Sequence, residues 1–159
     1  MRLKTTAAIG LAFAAGLLLS PLAQHALAEA QASTPAPAQP APLQPEVIDL
    51  MALGHADLPA TSNPQMRART LVMTPSGTIG IQSGNVAKHR HMHTTEIQYI
   101  VAGSGAMWLG SERREFKPGS LIVIPAGTAH GGTLVHEGPV KALAIKLPPQ
   151  PPGDIEYID

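Results

Sequence analysis

The 159-residue chain has eleven basic and eleven acidic residues, no cysteine, and five aromatic residues, Phe13, Tyr99, Trp108, Phe116 and Tyr157. Balanced charge offers no sustained field to gather nucleic acid or an anionic membrane surface, and so few rings make no stacking platform for bases. Without cysteine there are no disulfides, no thiol nucleophile and no lipid-bearing residue of the bacterial lipoprotein kind, so any metal must be held by nitrogen and oxygen.

Arg2 and Lys4 precede an apolar run from Ala7 to Leu19, a Ser20-Pro21 break and a small-x-small pattern at Ala26-Leu27-Ala28. That order describes a secretory signal peptide, residues 1–28, cleaved after Ala28. The run falls short of the roughly 20 apolar residues that span a bilayer, which argues against a membrane anchor. The single Arg-Arg pair is Arg113-Arg114, deep in the chain, so export through the general route for unfolded chains is expected. The mature protein is then periplasmic or secreted, with no stable membrane insertion, and meets its metal outside the cytoplasm.

Residues 29–45 are rich in Ala, Gln and Pro, with Pro35, Pro37, Pro40, Pro42 and Pro45, and read as a linker with almost nothing to bury. Folded sequence is expected over 46–159. Residues 47–53 suit an edge strand or a short helix. Short apolar or alternating runs then recur at 70–74, 78–82, 86–93, 96–102, 106–109, 121–125, 133–136 and 140–146, separated by glycine and proline. This spacing predicts an all-β barrel or sandwich with little helix. The proline-rich 148–152 and the acidic tail to Asp159 are expected to wrap the surface or hang free.

Chemistry concentrates in Lys88-His89-Arg90-His91-Met92-His93-Thr94-Thr95-Glu96. Histidines two apart on a strand share a face, and the carboxylate follows at the start of the next strand. Gly119 to His130 adds a strand, a Pro125-x-Gly127 turn and a further imidazole that can close the site. His91, His93 and Glu96 form a second possible register. Alternation from Glu96 sends Gln98, Ile100 and Ala102 toward the lumen and Ile97, Tyr99 and Val101 outward, which makes Gln98 the candidate to orient a substrate oxygen. Met107 and Trp108 alternate, so one of them should line the pocket. Lys88, Arg90, Arg113 and Arg114 are assigned no chemistry, His93 a place at the rim, and His55 and His136 solvated or loop positions.

These patterns resemble the cupin superfamily. Gly84, His89, His91, Glu96 and Gly103 match its first motif, with Gly84 one place closer than usual, and Gly119, Pro125, Gly127 and His130 match its second, which usually ends in Asn where this chain has Leu134. The resemblance covers residues 69–146 and favours the register with His89 and His91, because the family's gap before Glu96 then holds. It implies a jelly-roll-like β-barrel of six to eight strands, paired as a homodimer through an edge strand. It also implies one divalent transition metal (Mn, Fe, Co, Ni, Cu or Zn) on His89, His91, Glu96 and His130, with two positions left open. The expected function is that of an exported metal-dependent enzyme, dioxygenase-like or an isomerase or lyase, acting on a small oxygenated substrate. The alternative is a periplasmic carrier that binds a metal or small ligand without turnover. Fold breadth of this kind does not select among reactions.

Overall fold

A computed structural model describes residues 42–159; the expected signal peptide and most of the linker lie outside the described residues. Eight strands follow in chain order: β1 Met66–Thr74, β2 Gly77–Gly84, β3 His89–His91, β4 Thr95–Leu109, β5 Glu112–Phe116, β6 Leu121–Ile124, β7 His130–Leu147 and β8 Ile155–Tyr157. Among the described residues the only helical element is a 3-10 turn, His55–Asp57. All strand pairs are antiparallel and join one eight-stranded sheet that curls into a barrel-like shell. This is the all-β architecture predicted from the spacing of turns.

β7 organises the shell. Its C-terminal half lies between β2 and β4, its first residue pairs with β3, and β4 in turn carries β5 and β6. β1 and β2 form a hairpin closed by Pro75-Ser76, where the Thr74 hydroxyl accepts the Gly77 amide at 3.1 Å and donates to the Gly77 carbonyl at 3.0 Å. The lower core is a cluster of Ile100, Met107, Phe116, Ile122, Ile124 and Ala142. Each large aliphatic or aromatic side chain buried there contributes roughly 1.5–3 kcal/mol.

Two expectations about strand breaks are corrected. Residues 96–102 and 106–109 belong to one strand, β4, and residues 133–136 and 140–146 to one strand, β7. The glycines between them allow close approach and are not turns. A Cβ at Gly103, which has φ +80°, would stand 2.8 Å from the Glu137 carbonyl oxygen, and one at Gly105 would stand 2.4 Å from that of Leu134. Register shifts along β4 and β7 absorb the local bend.

Other assignments differ for related reasons. Residues 86–93 hold only the three-residue β3. β5 carries Glu112, Arg113, Arg114 and Glu115 outward and buries Phe116 alone, so its sequence shows no apolar alternation. Residues 47–53 form neither strand nor helix. The Asp49 carboxylate accepts the Met51 amide at 2.9 Å, and buried Lys141 donates to the carbonyls of Leu50 and Leu53, each at 2.9 Å. The C-terminal tail does not hang free: β8 returns to pair with β3, setting Tyr157, Glu156 and Ile155 opposite His89, Arg90 and His91.

Candidate metal centre

The alternation of β3 turns His89 and His91 inward and Arg90 outward, where Arg90 meets Glu156 of β8 at 2.9 Å. Glu96 and Gln98, near the start of β4, face the same interior. His130 opens β7 directly opposite His89, their ring centroids 4.2 Å apart. The Pro125–Thr128 turn is hooked onto β3 by the Gly127 amide, which donates to the His91 carbonyl at 2.7 Å. Gly131, at φ +93°, lets the chain pass beside β3, since a Cβ there would lie 2.9 Å from the Ala87 carbonyl oxygen. All four candidate ligands are buried, none more than 4% exposed.

The three imidazoles offer nitrogens that lie within 4.8 Å of one another. His89 Nδ1 donates to the Ala87 carbonyl at 2.8 Å, and His130 Nδ1 to the Thr128 carbonyl at 2.9 Å. A carbonyl can only accept, so Nδ1 carries the proton and Nε2 keeps a lone pair for the interior. His130 Nε2 is buried without a hydrogen-bond partner among the described residues. Glu96 Oε2 lies 2.9 Å from His91 Nε2 and 3.4 Å from His130 Nε2, while its Oε1 accepts the Gln98 amide at 2.9 Å. An unpartnered lone pair beside a carboxylate fits a transition ion with nitrogen and oxygen ligands.

Electrostatics suit the same use. Burial, then repulsion from His130, pushes the His89 imidazole from 6.5 down to about 4, against the pull of its bond to Ala87, so at neutral pH its lone pair is free. Burial alone would raise the Glu96 carboxyl. Its contacts with His130 and His91, the Lys146 charge and the Gln98 amide outweigh that and hold it well below the usual carboxylate range. Above these side chains opens a cavity of about 240 Å³, whose polar wall includes Asn63, Gln82, Gln98, Lys146 and Tyr157. A smaller space of about 40 Å³ lies deeper, between Gln98, His130 and Met107.

All five residues singled out in the sequence, His89, His91, Glu96, Gln98 and His130, therefore meet at one place. His93 does not join them. Its side chain is 76% exposed and its ring lies 3.1 Å from Asp154 Oδ1. Met107 is buried against the small cavity, whereas Trp108 lies outside, its ring flanked by Lys88 and Arg113 at 4.8 and 4.7 Å. His55 is tied to buried Ser83 at 3.0 Å. Leu134 is 54% exposed and lies opposite Ala106 of β4. Sequence reasoning missed Lys146, Tyr157 and Asp154. The last two sit in a Pro/Gly-rich tail, where a faint Ile-Glu-Tyr alternation points to Tyr157 and nothing local points to Asp154.

A family model described as the cupin domain matches residues 68–146. An uncharacterized protein of Methanocaldococcus jannaschii is 37% identical over 71 residues, which cover 45% of this chain and 57% of that one. This chain thus spans little more than half the length of that relative. Among solved structures, a nucleoside dehydratase from Streptomyces aligns with TM-score 0.54 at 16% identity, covering 66% of this chain and 88% of that one. The polyketide cyclase RemF of Streptomyces resistomycificus aligns with TM-score 0.53 at 22% identity, covering 67% and 84%. A double-stranded β-helix protein of Klebsiella pneumoniae aligns with TM-score 0.52 at 15% identity, covering 70% and 99%. At these identities the structures share a fold and nothing finer. With the matched span, the curled antiparallel sheet and the three converging imidazoles in place, the chain belongs to the cupin superfamily, as a metal-binding cupin.

Proposed function

We propose that this protein is an exported metal-dependent enzyme acting on a small oxygenated substrate. His89, His91, Glu96 and His130 would hold one divalent transition ion, and Gln98 would orient the bound molecule. The observation that carries this reading is the buried group of three imidazoles, two of them with their lone pairs prearranged, beside a cavity of about 240 Å³. When bound, the ion would polarise a substrate oxygen, with dioxygenase-like chemistry if it is redox-active and isomerase or lyase chemistry if it is not.

The chain's own residues supply positioning and proton handling. Gln98 occupies Glu96 Oε1 and so keeps Oε2 turned toward His91 and His130. Lys146, in register with Glu96 on the neighbouring strand, and Tyr157 line the cavity and are its titratable groups outside the ligand set. They are the candidates to hold a proton or an anionic substrate group. Among the described residues no further carboxylate or imidazole lines that cavity, which favours a second reading, a carrier that binds without turnover.

Elemental analysis of the protein purified from its native compartment, beside His91→Ala, tests the reading. About one equivalent of Mn, Fe, Co, Ni or Cu, lost in the variant, supports it and directs the substrate screen. Zinc alone shifts weight to redox-inert chemistry, and no metal even on reconstitution overturns it. Ligand-induced stabilisation with no turnover across the screen would select the carrier. Export would give a mature N-terminus at Glu29. We further propose a homodimer, and the exposed row of Tyr99, Leu121 and Val123, 43%, 63% and 54% exposed on β4 and β6, is the surface to probe by Leu121→Asp in sedimentation.

A further inference from the structure

We propose that Asp154, outside the span shared with the family, is a positioning residue that fixes His91 for metal binding. The inference rests on the metal-centre reading above. His89 and His130 each direct Nδ1 to a backbone carbonyl two residues earlier in their own segments. His91 has no such partner. Its Nδ1 is buried and lies 3.4 Å from Asp154 Oδ2, and among the described residues neither atom has another partner at hydrogen-bond geometry, with the buried Thr94 hydroxyl also facing this carboxylate. If Nε2 of His91 turns its lone pair to a cation, Nδ1 must carry the proton, and the acceptor facing it among the described residues is this carboxylate. A shift of about half an ångström brings the pair to ordinary hydrogen-bond length.

Asp154 is itself held firmly. It is 2% exposed, and its Oδ1 accepts the His93 amide at 2.7 Å and contacts the His93 ring at 3.1 Å. Its backbone carbonyl accepts the Met92 amide at 3.0 Å, just before β8 pairs with β3. The carboxylate therefore arrives on a strand already registered against the strand that bears His91. A charged acceptor stands behind one imidazole and neutral carbonyls behind the other two, which sets His91 apart among the three. The C-terminal segment thereby becomes part of the metal centre.

The test is cobalt(II) affinity of the full chain, measured by chelator competition for wild type, Asp154→Asn and Asp154→Glu. It is accompanied by melting of the metal-free proteins and NMR of the hyperfine-shifted imidazole N–H protons. The expected result is a roughly 10–100-fold weaker affinity in Asp154→Asn, partly restored by Asp154→Glu, with a displaced or fast-exchanging His91 N–H while those of His89 and His130 stay in place. Affinity within threefold of wild type, or equal displacement of all three N–H signals, overturns the assignment. Should Asp154→Asn not fold, the wild-type His91 N–H decides, since a proton exchanging freely with solvent rules the pairing out. A wild-type protein that takes up no cobalt defeats the metal-centre reading itself, an outcome distinct from failure of Asp154 alone.

Discussion

The inner wall of the site and the C-terminal return behind it fix their histidines by different means. On the inner wall, His89 and His130 are braced by carbonyls of Ala87 and Thr128, so the brace and the ligand come from the same few residues. Behind His91 stands Asp154, which the folding of the whole barrel must deliver from the far end of the chain. The inner wall is therefore specified locally and the outer support by long-range pairing. That difference predicts that damage to the wall abolishes binding, whereas damage to the return only weakens it.

The largest effect should follow from the wall. His130→Ala removes the imidazole whose Nε2 is buried without a partner, and bound metal should fall from about one equivalent to none in elemental analysis, a greater loss than the ~10–100-fold expected of an outer support. Glu96→Gln keeps the volume but removes the charge opposite two imidazoles, and should weaken binding without abolishing the fold. Retention of a full equivalent by His130→Ala would break the comparison at its root.

A smaller effect is expected on the stability of the metal-free protein. The unfolded chain protonates His89 near 6.5, while the folded chain does so only near 4. Between these values the unfolded state binds more protons, so the contribution is complete above pH 6.5 and is lost as the pH falls toward 4. The loss amounts to up to about 3 kcal/mol. Glu96, held below its ordinary 4.5, contributes stability that is lost only as the pH falls below that value. Urea unfolding at pH 7.5, 6 and 5 should show the midpoint falling, and His89→Gln should flatten the trend. An equally steep trend in the variant would assign the acid sensitivity elsewhere.

The contrast also explains what could be read in the sequence. His89, His91, Glu96, Gln98 and His130 were legible because strand alternation and a short turn bring them forward as candidates, and the resemblance to the family's motifs selects the register with His89 and His91 over the one with His93. The barrel class was legible from the recurrence of turns. The length of β4 was not, because Gly103 and Gly105 look like turn residues until the backbone of β7 is seen lying against them. β5 was hidden because an edge strand keeps charges on both rows, and Lys146 because its neighbour Glu96 is defined only by the register of β4 on β7. Asp154 carries no local signal at all, since an acidic residue after Pro-Pro-Gly reads as a solvated tail.

The smallest predicted effect separates the carboxylate from the strand that carries it. Arg90 and Glu156 form a bidentate pair across β3 and β8, with side chains 38% and 50% exposed, and exposed pairs are worth only about 0.2–1 kcal/mol. Arg90→Ala should therefore loosen β8 slightly, visible as a small rise in amide exchange at 155–157, and leave cobalt affinity within threefold of wild type. Asp154→Asn should do the reverse, holding the strand pairing while weakening the metal. If Arg90→Ala costs as much affinity as Asp154→Asn, docking of the return as a whole supports His91 and the carboxylate has no separate part. If the two variants part as expected, the support acts through one carboxylate, and the strand's work is to bring it there.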